Sequence, residues 1–571
     1  MAETILADGR SQRRAIGIAT VALVGWACWR TQFGADSGDG AHSVALALRL
    51  AEGAEPFVDE TNTQATGSLL AVPFVAAWKG VFGTSGIVLA TRLWYVALCL
   101  VIGVLAYRAL RQVLPAWVAF AVPATALVPT AYNLMLLNYT TAPSLAILLA
   151  TTSGVIAVER GSGRWGILAG ATPVLAAFSH PAALPSAALL LATLLLLCRR
   201  TRAWRSVAVG AVATSTVLLL WVLLVVGLPH LLQTLTYTMD YQSTRLTPSQ
   251  RVAALWDVYA GGITSLAYLP TGILALLACA PSIRPRVRAT LLLCVVVAVA
   301  TPSLASQFTD APVPLPFGRF SGVYATIAII GMAVPGSLAV ARAKDPPMTS
   351  LLALSLPPAL ISLPTVAATS SAGPYWGAAA IGVATAFGAL SAVPAWLATT
   401  ERRPSPAFVA AAALVPLLAV VSVQTMVSFR DPSPWQQTAR VHGGAFAGIR
   451  GTPERVLVLE RIREEVDRAT TNEDSVFVFG SPAAYLFVPG RMNTNIVWTP
   501  LSGPANQFTI DYFDEREDFP DVVLLWAGRR AEAGGEGPWR NLDPMVDYFH
   551  RHYEIVDDGS DSLFIVLRRS P

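Results

Sequence analysis

Between Asp36 and Glu60 the chain reads DSGDGAHSVALALRLAEGAEPFVDE and places six carboxylates, Asp36, Asp39, Glu52, Glu55, Asp59 and Glu60, directly after a hydrophobic run. Carboxylates at the lip of a membrane are costly unless they serve something, and what they can do is remove protons, orient hydroxyls or hold a cation. The apolar-rich stretch Val44–Leu50 between them suits a helix lying on the bilayer surface. Other residues of chemical interest are scattered: six histidines (His42, His180, His230, His442, His550, His552) and the arginines Arg245, Arg251 and Arg319. The planar fork of arginine matches the oxygens of a phosphate.

The elements that must position these groups are membrane spans. Of the 571 residues, 54% are hydrophobic and 13% charged, against about 25% charged in ordinary soluble proteins. That deficit, with repeated long apolar runs, predicts a polytopic α-helical membrane protein. The net charge of +4 is small and lies mostly in short loops, which argues against a nucleic-acid partner. All basic residues but Lys79 and Lys344 are arginine, a bias that suggests a GC-rich bacterial, actinobacterial genome. The five cysteines fall in hydrophobic spans with no CxxC pair, so neither a zinc site nor a disulfide framework is expected.

Basic clusters punctuate the apolar runs at Arg10/Arg13/Arg14, Arg108/Arg111, Arg160/Arg164, Arg199–Arg205, Arg284–Arg288, Arg342/Lys344 and Arg402/Arg403. The positive-inside rule puts each in the cytoplasm. The expectation is about 13 spans, near 15–30, 86–107, 113–131, 139–157, 165–179, 182–198, 206–228, 260–280, 289–305, 319–341, 349–368, 377–398 and 406–426, the first a retained signal anchor. The N-terminus is then cytoplasmic, and all six histidines fall on the external side. The run Gly67–Gly83 does not fit as a crossing, because it would send Arg108 and Arg111 outside; it is expected to be re-entrant or to lie on the surface.

After about Ser428 charged residues become frequent and apolar runs shorten. Thr452-Pro453-Glu454 reads as a helix start, with Val456, Leu459, Ile462 and Val466 on one face. Strands are expected at Ser475–Phe479, Asn495–Trp498, Val522–Trp526, Glu554–Val556 and Leu563–Leu567, and a second helix at Pro544–His552. The chain thus divides into a membrane module over 1–427, with a first external loop at 31–85, and a small external α/β domain over 428–571. Ser481-Pro482 follows a strand, but without a glycine-rich fingerprint it does not suggest a nucleotide site.

The pattern Asp39-Gly40, Ala45–Leu50, Glu52-Gly53 and Pro56-Phe57-Val58-Asp59, followed by a helix ending at Phe82-Gly83 and a span opening near Arg92, resembles the first external loop of the GT-C glycosyltransferases. These are membrane enzymes that take a sugar from a polyprenyl phosphate. The resemblance implies a GT-C-like catalytic module and an inverting transfer of a hexosyl or pentosyl group to an external cell-envelope glycan or glycolipid, as in cell wall biogenesis, in the cell (plasma or inner) membrane. Many relatives open the loop with Asp-Glu or Asp-Asp, whereas Ser37-Gly38 separates the two aspartates here. Counting back from Gly53 favours Asp39 as the base that deprotonates the acceptor, with Asp36 the competing assignment. On the same reading Asp59 orients the acceptor or holds a divalent cation, His42 and His180 contact substrate, and Arg245 and Arg319 receive the phosphate, with Arg319 the better placed. Tyr241 is among the aromatic residues of the outer interface suited to stack on sugar. The sequence identifies no cofactor, and a divalent cation is compatible with the loop carboxylates. A flippase or transporter of lipid-linked sugars, or a non-catalytic glycan-assembly partner, is the alternative; a transporter would favour internal repeats and mid-membrane charges, which the chain does not show.

Overall fold

The computed structural model describes residues 2–130, 134–243, 247–305, 321–369, 381–401, 403–426, 432–498, 505–526 and 545–570. Among these, nine helices are long and apolar enough to cross a membrane, or ten if the bent pair Pro248–Gly262 and Leu266–Cys279 forms one span. The protein is a multi-pass membrane protein, although the expected thirteen spans are not all of spanning length. The expected spans at 113–131 and 377–398 appear as the shorter helices Ala116–Ala126 and Val383–Thr399.

The arginine clusters gather at one end of the bundle. Arg160 donates to the Gln112 carbonyl, Thr201 to that of Ala157, and Ser350 to Glu159 at 2.6 Å. Arg342 donates to the Cys279 carbonyl, and Arg286 lies over the Phe408 ring. The first helix, Ala2–Arg30, packs on the last, Pro406–Met426, through Trp26 Nε1 to Thr425 Oγ1 at 2.8 Å. The opposite end of the bundle carries the acidic loop and the C-terminal domain.

That domain is built on a five-stranded sheet in the order Arg491–Met492, Ser475–Phe479, Val522–Trp526, Phe564–Arg569, Tyr553–Asp557. The first two pairings are parallel and the last two antiparallel. Side chains alternate across it with the period of two that a strand imposes. Phe477, Phe479, Val523 and Leu525 pack with Phe513, Tyr548 and Phe549 on one face. Val476, Val478, Val522 and Leu524 point the other way, into an apolar cluster that also holds Leu459 and Ile462 of helix Pro453–Ala469, Val44 and Leu48 of the loop helix, and Val88 and Val96 of the span after it. A core shared in this way fixes the domain on the bundle.

The expected strand at Asn495–Trp498 does not form. Its backbone is engaged elsewhere: the Asn495 carbonyl accepts from Thr61 N at 2.7 Å, and Val497 N donates to Glu60 at 3.2 Å. This segment clamps the acidic loop instead of extending the sheet.

The run Ala65–Phe82 is long and apolar enough to cross a membrane, yet both of its ends meet the C-terminal domain. Just before it Thr61 bonds to Asn495; just after it Gly86 N donates to the Gly444 carbonyl at 3.0 Å. In its last turn, Lys79 pairs with Glu52 at 2.5 Å.

Candidate active site

The acidic loop is anchored at its start by two buried arginines. Arg92 donates to the carbonyls of Thr31, Phe33 and Gly34 at 3.0, 2.9 and 2.8 Å. Arg30 donates to the Gln424 carbonyl at 3.1 Å. Gly34 N in turn donates to Gln437 Oε1 at 2.7 Å, and Arg450 N to the Gln32 carbonyl at 2.6 Å, which ties the loop to the C-terminal domain.

Five residues after Gly34 the chain enters helix Asp39–Ala51. The buried Asp36 carboxylate accepts from Gly38 N at 2.9 Å and from Gly40 N at 2.6 Å. A carboxylate here satisfies two backbone donors that a helix start leaves open, and it faces the positive end of the helix dipole. A side chain at position 40 would set its Cβ 3.0 Å from Asp36 Oδ2 and press on that carboxylate. Asp39 is the first residue of the helix and half-buried, and its carbonyl accepts from Ser43 Oγ at 3.0 Å.

One turn on, His42 is buried, with Nε2 3.0 Å from Gln64 Oε1 and its ring edge-on to Trp498 at 5.6 Å. The amide oxygen makes Nε2 the protonated nitrogen, leaving Nδ1 buried with no hydrogen-bond partner among the described residues. Burial pushes this imidazole down to about 4, so it is neutral at physiological pH. Ser43 receives a 3.4 Å contact from Asn138 Nδ2, while Asn138 Oδ1 caps the next helix through Thr140 N and Thr141 N. Gly67 sits against the backbone of Tyr139, where a Cβ would fall 2.3 Å from Tyr139 Cα. Tyr139 stacks on His180 with centroids 5.4 Å apart. His180 caps its own turn, accepting from Ala182 N at 3.1 Å, and burial lowers its pKa to about 4.

Asp36, Asp39, His42 and, through Gly67 and Tyr139, His180 therefore share one neighbourhood at the seam between bundle and domain. Asp59 is placed otherwise. It pairs with Arg516 of the C-terminal domain at 2.7 Å and accepts from Glu55 N at 3.0 Å, so the geometry makes it a docking residue. Tyr241 belongs to helix Leu228–Ser243, but its side chain, like all of Arg245 and Arg319, lies outside the described residues. Among the described residues no three His, Cys, Asp or Glu side chains are grouped to hold a metal ion.

The sequence assigned no individual role to Arg49 or Glu60. Arg49, buried on the loop helix, donates to the carbonyls of Met492 at 2.6 Å and Thr494 at 3.1 Å. Glu60 is fully buried; desolvation raises its pKa to about 8 against the attraction of Arg49 and the hydrogen bond from Val497 N. The available signal was a lone arginine in the apolar run VALALRL; a charge there needs a partner from elsewhere in the fold.

No family model matches the chain, and no curated protein matches it in sequence. Among solved structures it is similar to ArnT from Cupriavidus metallidurans in the apo state, with 14% identity over 98% of each chain and a TM-score of 0.48. The undecaprenyl phosphate-bound form of that protein gives 14% identity over 97% of each chain and a TM-score of 0.43. The oligosaccharyltransferase of Archaeoglobus fulgidus, in complex with Zn and sulfate, gives 12% identity over 92% of this chain and 68% of that one, with a TM-score of 0.43.

Proposed function

We propose that the protein is a GT-C-type glycosyltransferase that moves a sugar from a polyprenyl-phosphate donor to a glycan or glycolipid acceptor outside the cell, with inversion at the anomeric carbon. The observation that carries this reading is the pair of aspartates at the start of the loop helix, held at the seam between a membrane bundle and a polar domain. An aqueous acceptor and a lipid-borne donor can meet there. The grouping of arginines at the far end of the bundle supports a cytoplasmic N-terminus and an external C-terminal domain.

In this mechanism Asp39 takes the proton from the acceptor hydroxyl. The hydroxyl oxygen bonds to the anomeric carbon as the bond from that carbon to the phosphate oxygen breaks, and polyprenyl phosphate leaves with the electron pair. One displacement inverts the centre, since no second carboxylate acts as nucleophile. Asp36 serves differently: both its oxygens already bind the helix start, so it fixes where Asp39 stands. Neutral His42 and His180 flank the substrate. Arg319, and Arg245 with it, are assigned to the phosphate by their sequence positions.

The test is transfer of radiolabelled sugar from polyprenyl-phosphate donors, hexosyl and pentosyl, in membranes containing the protein. Asp39→Asn is expected to remove transfer while expression and thermal stability persist. Normal turnover in Asp39→Asn together with loss in Asp36→Asn would move the base to Asp36. Normal turnover in both would overturn the enzyme reading in favour of a transporter of lipid-linked sugars.

A further inference from the structure

An apolar cleft runs between the first helix, Ala2–Arg30, and helices Ile87–Leu110 and Ala116–Ala126. Ile16, Thr20 and Tyr107 line one end and Ala27 and Met135 the other, with Phe120 among the side chains between them. From Ile16 to Ala27 a helix climbs roughly 16 Å, about half the ~30 Å thickness of a hydrocarbon core. The cleft is thus one leaflet deep.

Its two ends differ in charge. Beyond Ile16 and Tyr107 stand Arg13, Arg14 and Arg108, all exposed. At the other end the nearby arginines are committed to the loop, Arg92 to the carbonyls of Thr31, Phe33 and Gly34 and Arg30 to that of Gln424. A ligand of this cleft is therefore apolar for one leaflet's depth and negative at the arginine end. A polyprenyl phosphate bound for the acidic loop has the opposite polarity, with its phosphate at the loop end, and its tail outruns one leaflet.

We infer that the cleft is a binding site for an anionic phospholipid of the arginine-side leaflet. Its acyl chains fill the space between the three helices, and its phosphate rests among Arg13, Arg14 and Arg108. Basic pockets between membrane helices recognise anionic headgroups in this way. The headgroup end lies away from the acidic loop, and only the preference for phospholipid over polyprenyl phosphate rests on the sugar-transfer reading.

Native mass spectrometry of the detergent-purified full chain tests it, with thermal shift on adding phosphatidylglycerol or phosphatidylcholine as the second readout. The wild type is expected to retain an anionic phospholipid and to be stabilised by phosphatidylglycerol more than by phosphatidylcholine. Arg13→Gln/Arg14→Gln/Arg108→Gln should lower retention at least tenfold and erase the difference between the two lipids. Val24→Trp, which fills the cleft and leaves the arginines in place, should also lower retention; monodisperse elution with unchanged thermal stability without added lipid verifies that each variant is folded. Equal stabilisation of the wild type by both lipids, retention untouched by either variant, or a retained polyprenyl phosphate in place of phospholipid would overturn the inference.

Discussion

The two aspartates of the loop are assigned different roles. Asp36 is a helix cap, accepting from two backbone N–H groups, so Asp36→Ala should cost about 0.5–2 kcal/mol of stability and lower transfer through misplacement of the helix. Asp39→Asn keeps the size of the side chain and is expected to cost about 10²–10⁴-fold in rate, as loss of a general base does, with little change in melting temperature. Melting curves and transfer rates measured on both variants separate the roles; a strongly destabilised Asp39→Asn with Asp36→Ala intact would reverse them. Glu60 gives a pH signature. Its folded pKa is raised from 4.5 to about 8 by burial, so the folded state favours its neutral form. The associated stability is fully present below about 4.5 and is lost as pH rises to about 8. His42, lowered from 6.5 to about 4, acts in the other direction: its contribution holds above 6.5 and is lost as pH falls to about 4. The two windows overlap, so the informative quantity is wild type minus Glu60→Gln. That difference should fall steadily between pH 5 and 8, and a flat difference would mean that Glu60 is already ionised in the folded protein.

At the scale of elements, the run Ala65–Phe82 makes the sharpest prediction. Composition alone permits a crossing, yet the contacts of Thr61 with Asn495 and of Gly86 with Gly444 bring both ends to one domain. Single cysteines at Leu70 and Phe82, both exposed, should label from the same side as one at Glu473 of the C-terminal domain in a background without native cysteines. Labelling of Leu70 and Phe82 from opposite sides would show that the run spans. This reading was open to the sequence because crossing would have reversed every later arginine cluster. The helix at Pro453–Ala469 was legible for a local reason: Thr452 accepts from Arg455 N, and Val456, Leu459, Ile462 and Val466 all face inward. The strand assigned to Asn495–Trp498 failed for a non-local one. Its short β-branched and aromatic run Ile496–Trp498 does resemble a strand, but what claims its backbone is Glu60 and Thr61, more than four hundred residues away in the chain. The neighbourhood of the site divides the same way. Asp36, Asp39 and His42 announce themselves by spacing on one helix start, whereas Gln64, Tyr139 and Trp498 join them only through packing that no local pattern encodes.

For the whole molecule, the question is what couples the C-terminal domain to the loop. The shared apolar core binds the two without setting register, which falls to polar contacts: Arg49 on the Met492 and Thr494 carbonyls, Glu60 on Val497 N, and Asp59 with Arg516. These differ in worth. The Asp59–Arg516 pair is partly exposed, at 17% and 41%, and Arg516→Ala should cost no more than about 1 kcal/mol. Arg49 is buried, and each charge-assisted bond it loses is worth about 1.5–3 kcal/mol. Arg49→Met should therefore destabilise the protein clearly and reduce transfer, because the helix that carries Asp39 loses its hold on the domain. The Arg49–Glu60 interaction adds a dependence that simple packing lacks. Near pH 6 Glu60 is mostly neutral in the folded protein and Arg49 gains little from it; above pH 8 Glu60 is an anion and the attraction is expressed. A double-mutant cycle of Arg49→Met and Glu60→Gln, read by thermal melting in nanodiscs, should then give a small coupling at pH 6 and a clearly larger one at pH 9. Equal coupling at both values would show that the two side chains communicate through packing alone, and the seam would hold its register without a charge at its centre.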